Sequence, residues 1–150
     1  MKVVIQRVIE AALRVEGKLI SEIQKGLVIL LGVHEEDTQE DLDWLVRKVA
    51  QLRIFSDHKA NMNLSIHDVN GEVIVVSQFT LYANTKKGNR PSFISAAKPE
   101  KAISMYENFV KDLEVILSKK VQTGIFGADM KVALVNDGPV TIVIDSKNKE

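Results

Sequence analysis

The chain has 150 residues, 45% of them hydrophobic, with twenty Lys and Arg against twenty Asp and Glu and no cysteine. That length suits one domain with a sizeable core, and the charge balance excludes a global field that would draw in nucleic acid or membrane, so a polyanion must be met by a local basic patch. Without cysteine there are no disulfides, thiolate nucleophiles or cysteine-held zinc, which suits a reducing cytoplasm.

The opening "MKVVIQRVIEA" is interrupted by Lys2, Arg7 and Glu10, so it lacks the apolar centre of a signal peptide. Val4, Val8, Ala12 and Val15, mixed with Gln6, Arg7 and Arg14, read as strand, and Gly17 offers a hairpin turn. "GLVILLGV" (26 to 33) is apolar on both faces, as expected of a fully buried central strand. Its "LVILL" is the longest apolar run and is far short of a membrane span. The expectation is a soluble cytoplasmic domain with no membrane partner.

A period change follows. Leu42, Leu45, Val46, Val49 and Leu52 form one helical stripe, and Thr38 sits three residues before Asp41 in the manner of a capping box. The preceding His34, Glu35, Glu36 and Asp37 read as a solvated acidic loop at a helix start. Neither they nor His58 and His67, near Asp57 and Asp68, have the spacing of a metal motif, so no metal and no cofactor are expected.

"EVIVV" then runs into Ser77, Gln78, Phe79 and Thr80. Polar groups at the end of a buried strand must be bonded or used. Ser77 and Thr80 have no G-x-S-x-G frame and no neighbouring His to act as base. Either their hydroxyls bond backbone at the strand end, or backbone donors around Phe79 and Thr80 stabilise a developing oxyanion. Lys86, Lys87 and Arg90 follow in a loop with Gly88, Asn89 and Pro91, a patch suited to phosphates or to plain solvation.

A second helix is signalled by Pro99 in its first turn and by Ile103, Tyr106, Phe109, Val110 and Leu113 on one face. "TGIFGADM" (123 to 130) brackets Phe126 with glycines. Two strands are then expected, "KVALVN" (131 to 136) and "PVTIVID" (139 to 145), joined by a turn at Asp137-Gly138, with "SKNKE" as a frayed end. No linker or repeat divides the chain. The expectation is a single α/β domain over residues 1–150, strand-rich, with two amphipathic helices.

Together "MKVVIQRV", "LRIFSD", "NMNLSI", "VVSQFTLYA", "KKGNRPSF", "TGIFGADM" and "NDGPVT" resemble the D-aminoacyl-tRNA deacylases, also called D-tyrosyl-tRNA(Tyr) deacylases. The likeness runs from Met1 to about Ser146. Ala60 departs from it, standing where the family pattern often has glycine. The resemblance implies mixed, barrel-like sheets in a three-layer α/β/β arrangement. It also implies a homodimeric carboxylic ester hydrolase that frees D-amino acids from the 3′-terminal adenosine of tRNA, a chiral proofreading step, and leaves open whether glycyl-tRNA is cleaved as well. On that basis Ser77, Gln78, Phe79 and Thr80 line the catalytic pocket. Phe126 and Met130 lie at the adenosine, and Lys86, Lys87 and Arg90 wait for phosphates. Gly138-Pro139, as a cis peptide, enters the partner subunit's site and excludes L-stereoisomers. A water with backbone donors and the substrate's own 2′-hydroxyl would account for the missing His. Two other classes compete: a non-catalytic module that binds the tRNA end, and an unrelated small-ester hydrolase using Thr80 as nucleophile.

Overall fold

The computed structural model describes residues 1–149. Eight strands and two helices follow in the order β1 (Lys2–Val15), β2 (Lys18–Ile23), β3 (Gly26–Gly32), α1 (Gln39–Gln51), β4 (Phe55–Ser56), β5 (Met62–Leu64), β6 (Glu72–Ser77), α2 (Pro99–Leu117), β7 (Gln122–Thr123) and β8 (Met130–Asp145), with a 3₁₀ turn at Phe79–Tyr82 after β6.

The main sheet runs β2-β1-β3-β6-β7, and β8 lies along the other side of β1. β1 is antiparallel to β2, β3 and β8, whereas β3, β6 and β7 run parallel to one another. The sheet is mixed and nearly closes on itself: the Ser21 hydroxyl of β2 donates to the Thr123 carbonyl of β7 across the gap between its two ends. β4 and β5 form a separate small hairpin.

Why β3 is apolar throughout is now evident. Leu27, Ile29 and Leu31 face the helices, in one core with Leu42, Leu45, Phe109 and Leu113, while Val28 turns into a second core with Val8, Leu13, Ile74 and Val76. Burying each such side chain contributes about 1.5–3 kcal/mol. Both helical stripes point inward as their periodicity requires, and Pro99 opens α2 where its missing N–H costs nothing. At α1 the Thr38 N–H donates to Asp41 Oδ2 at 2.9 Å, one half of the expected capping box.

Three expectations need correction. The acidic loop is not solvated throughout, because Asp37 is buried and accepts from the Met1 ammonium at 2.6 Å. The tail is not frayed at Ser146 and Lys147. Ser146 is buried; its hydroxyl accepts from the Met1 ammonium at 2.5 Å and donates to Asp41 Oδ1 at 2.8 Å, and Lys147 Nζ reaches Asp41 Oδ2 at 2.7 Å. Glu150, the last residue of that expected end, lies outside the described residues.

The third correction concerns residues 131–145, which form one strand, not two joined by a reversing turn. Both halves of β8 run antiparallel to β1: Asn136 pairs with Val8 and Thr141 with Gln6. Residues 137 to 140 therefore stand opposite Arg7 alone, as an outward bulge that keeps the strand's direction. Within it the Gly138-Pro139 peptide is cis and Gly138 has φ +123°. Ala60 has φ +62°, a left-handed position that favours glycine, which accounts for the glycine of the family pattern there but not for the alanine.

Candidate active site

β6 ends where its ladder does. The Gln78 N–H makes a last bond to the Leu31 carbonyl of β3 at 2.8 Å, and the chain then tightens into the 3₁₀ turn. Phe79 and Thr80 open that turn, so their N–H groups have no earlier turn to donate to. From the other side Tyr106 of α2 fixes the strand, its buried hydroxyl donating to the Val75 carbonyl at 2.7 Å. Burial, offset by a backbone hydrogen bond involving Gly124 and reinforced by the Glu107 charge, pushes the Tyr106 hydroxyl up to about 12, so it stays a donor.

Beside this strand end lies a cleft of about 690 Å³, within the usual range for small-molecule sites. Ser77, Gln78 and Phe79 form one wall. Phe93, Ala96 and Ala97 form the second, and the start of α2 and the 126–130 loop complete it. Phe79 is 55% exposed and meets Phe93 edge to face, with ring centroids 5.1 Å apart. Phe126 packs against Tyr106 at 6.1 Å. Gly124 makes room for this loop, since a Cβ there would run into the Met130 sulfur and come within 3.1 Å of Leu13.

Five of the residues singled out in the sequence thus share one cleft: Ser77, Gln78, Phe79, Phe126 and Met130. Thr80 is exposed and lies outside its lining, with its Oγ1 accepting from Gln78 Nε2. The lining contains no histidine. Among the described residues no cluster of His, Asp and Glu is arranged to hold a metal.

Lys86, Lys87 and Arg90 sit on an exposed hairpin closed by Asn84 and Ser92, which exchange backbone bonds of 2.8 and 3.0 Å. None of the three touches the first cleft. Lys86 lines a second one of about 680 Å³ on the far side of the 93–97 segment. Gly138 and Pro139 also lie outside the first cleft of their own chain. Arg7 braces their bulge. Its Nε donates to the Asp137 carbonyl at 3.2 Å, and its Nη1 donates to the Ile54 carbonyl at 2.6 Å.

Sequence reading missed the second-wall residues Phe93, Ala96 and Ala97, although Phe93 stands inside the noted "KKGNRPSF". It also missed Arg7, whose one available signal was a charge in the middle of an apolar strand.

The D-Tyr-tRNA(Tyr) deacylase family model matches residues 4–145. A protein of Flavobacterium psychrophilum named D-aminoacyl-tRNA deacylase is 65% identical over 150 residues, which is the whole of both chains. A solved structure described as c-Myc DNA Unwinding Element Binding Protein has a TM-score of 0.90 at 41% identity, covering 97% of this chain and 98% of that one. Another, described as a probable eukaryotic D-amino acid tRNA deacylase, has a TM-score of 0.83 at 16% identity over 95% of this chain and 97% of that one, a likeness of fold.

Proposed function

The chain belongs to the D-Tyr-tRNA(Tyr) deacylase family, and we infer from that membership that it hydrolyses the ester of D-aminoacyl-tRNA, releasing D-amino acid and tRNA as a proofreading step. It is a hydrolase, and its substrate is an aminoacyl-tRNA.

Within that activity we assign the chemistry to the first cleft. The observation that carries this is the meeting of Ser77, Gln78 and Phe79 with Phe126 and Met130 around one cavity beside a strand end. The N–H groups at Phe79 and Thr80, which lack an acceptor in an earlier turn, are the donors we assign to the oxyanion that forms when water attacks the ester carbonyl. No imidazole lines the cleft, so the vicinal 2′-hydroxyl of the terminal ribose moves the proton. Phe126 and Met130 hold the adenosine.

The partner subunit supplies the stereochemical filter. Gly138 and Pro139 stand out from β8 away from their own cleft, and Ile9, Val135 and Val143 expose apolar surface on the same pair of strands. A second copy would cover that surface and place the bulge in the neighbouring cleft. A filter that rejects by blocking the position of an L-side chain leaves glycine unopposed, so glycyl-tRNA is a further substrate. The cytoplasm, where tRNA is charged, is the site of action.

The test is release of amino acid from D-tyrosyl-tRNA and L-tyrosyl-tRNA under single-turnover conditions. Cleavage of the D-form alone is expected. Binding without cleavage would turn the protein into a tRNA-end-binding module, and equal cleavage of simple esters with a trapped acyl-enzyme would return Thr80 as nucleophile.

A further inference from the structure

The second cleft is separated from the first by a single layer of chain. In the 93–97 segment Phe93, Ala96 and Ala97 face the first cleft, while Ser95 faces the second. The 3₁₀ turn does the same: Phe79 lines the first and Tyr82 the second, three residues apart at about 2.0 Å rise each. A substrate whose 3′-terminal residue fills the first cleft with its 5′ side toward the 93–97 segment would continue over this divide.

The lining of the second cleft is suited to what comes next. Lys2 holds its Nζ 4.9 Å above the Tyr82 ring, against which His34 also packs at 5.1 Å. The Glu36 N–H donates to His34 Nδ1 at 3.1 Å, so the ring proton sits on Nε2 as a donor. Asn84 Oδ1 accepts from the Lys86 N–H at 3.0 Å, which fixes the carbonyl side of that amide and turns its N–H₂ group outward from the bond. The acidic residues here are Glu36 and Asp145. Lys2 Nζ lies 3.5 Å from Asp145 Oδ2, so that ion pair loosens when Lys2 turns to a phosphate, and Lys147 is held by Asp41.

We propose that the second cleft binds the phosphodiester and ribose of the nucleotide preceding the terminal adenosine, through Lys2, His34, Asn84 and Lys86. The proposal rests on the first cleft being the aminoacyl-adenosine site. A phosphodiester needs donors and positive charge without a matching base pocket, and a mixed set of lysine, imidazole N–H and amide supplies them. The hairpin carrying Lys87 and Arg90 then receives the phosphates further upstream.

The experiment compares two small substrates, the D-tyrosyl ester of adenosine and that of the cytidylyl-adenosine dinucleotide. The wild type should favour the dinucleotide ester in kcat/KM by about tenfold or more, the size of one hydrogen bond to a charged group. In His34→Ala and Lys2→Ser that preference should fall roughly tenfold. His34→Gln, which keeps an N–H donor, should retain most of it. Equal wild-type rates on the two esters would overturn the proposal, as would variants that keep the wild-type preference. Inorganic phosphate that alters cleavage of D-tyrosyl-adenosine would assign the cleft to free phosphate and overturn it too. If the wild type cleaves D-tyrosyl-tRNA but neither small ester, the first-cleft reading fails and this one falls with it.

Discussion

Arg7 clasps Asp137 from a position 130 residues earlier in the chain. One atom, Nε, lies 3.2 Å from the Asp137 carbonyl and 3.2 Å from its carboxylate Oδ2. Since Nη1 also donates to Ile54, the flat guanidinium ties β1 to the bulge and to the loop before β4. Lysine carries the charge but not this fork.

Arg7→Lys should therefore cost roughly 1–3 kcal/mol in denaturant unfolding, from partners left unsatisfied in a buried place. It should also lower the ratio of D- to L-tyrosyl-tRNA cleavage, because Gly138 and Pro139 lose their brace. A variant with wild-type stability and an unaltered ratio would show that the bulge holds its shape without Arg7.

Thr80→Ala should keep the single-turnover rate on D-tyrosyl-tRNA within about tenfold of the wild type. Its hydroxyl is already bonded to Gln78 and lies outside the cleft lining. A fall of about 10⁴-fold, the scale of losing a triad member, or an acyl adduct on Thr80 in a mass spectrum, would contradict the substrate-assisted reading.

Replacing Lys86 and Lys87 together by Ala should raise KM for D-tyrosyl-tRNA and flatten its salt dependence by roughly one unit of slope for each phosphate no longer neutralised. The preference for the D-form should persist, since a phosphate carries no information about the amino acid. With net charge zero over the chain, no other long-range attraction compensates. An unaltered salt slope would place the tRNA on a different basic surface.

Asp41 sets an acid limit on stability. Burial works to raise its carboxyl pKa, but bonds from Lys147, from the Thr38 N–H and from the hydroxyls of Ser146 and Thr38 outweigh it and hold the group well below the usual carboxylate range. A folded-state value below the unfolded one of about 3.9 contributes stability at all higher pH, lost as pH falls toward the folded value. Asp41→Asn should accordingly cost about 1–3 kcal/mol near neutrality, a gap that starts to narrow only below the unfolded value of about 3.9, is still largely present at pH 3 and closes toward the folded value. Calorimetric melting at several pH values checks this. A gap between wild type and variant that is constant with pH would exclude the carboxylate's titration as its source.

What the sequence disclosed follows from the range of the forces involved. The stripes of Leu42, Leu45, Val46 and Val49, and of Tyr106, Phe109 and Leu113, are periodic in the chain and buried in the fold. β3 was legible because both its faces are apolar. The polar residues after "EVIVV" marked a strand end that does border the cleft. The Asp137-Gly138 corner was misread because a bulge and a reversing turn use the same local residues; only the register against β1 separates them. Ser146 looks like tail until the Met1 ammonium is placed beside it. The second cleft gathers Lys2, His34, Asn84 and Lys86 from three separate stretches, and no window of sequence contains them together.

The pairing of β1 with β8 along almost its full length has a consequence for biosynthesis. The earliest strand to leave the ribosome must wait for the latest before one of its edges is covered. Until then it offers open N–H and C=O groups and the apolar side chains Val3, Ile5 and Val8. Closing so long a loop is slow compared with local helix formation. Nascent chains stalled before Met130 emerges should therefore be cut readily by protease within Lys2–Val15, and become resistant once Asp145 has cleared the exit tunnel. Early resistance would mean that β2 and β3 shelter the strand by themselves. The sheet that carries the cleft thus lacks one neighbour for β1 until β8 is made.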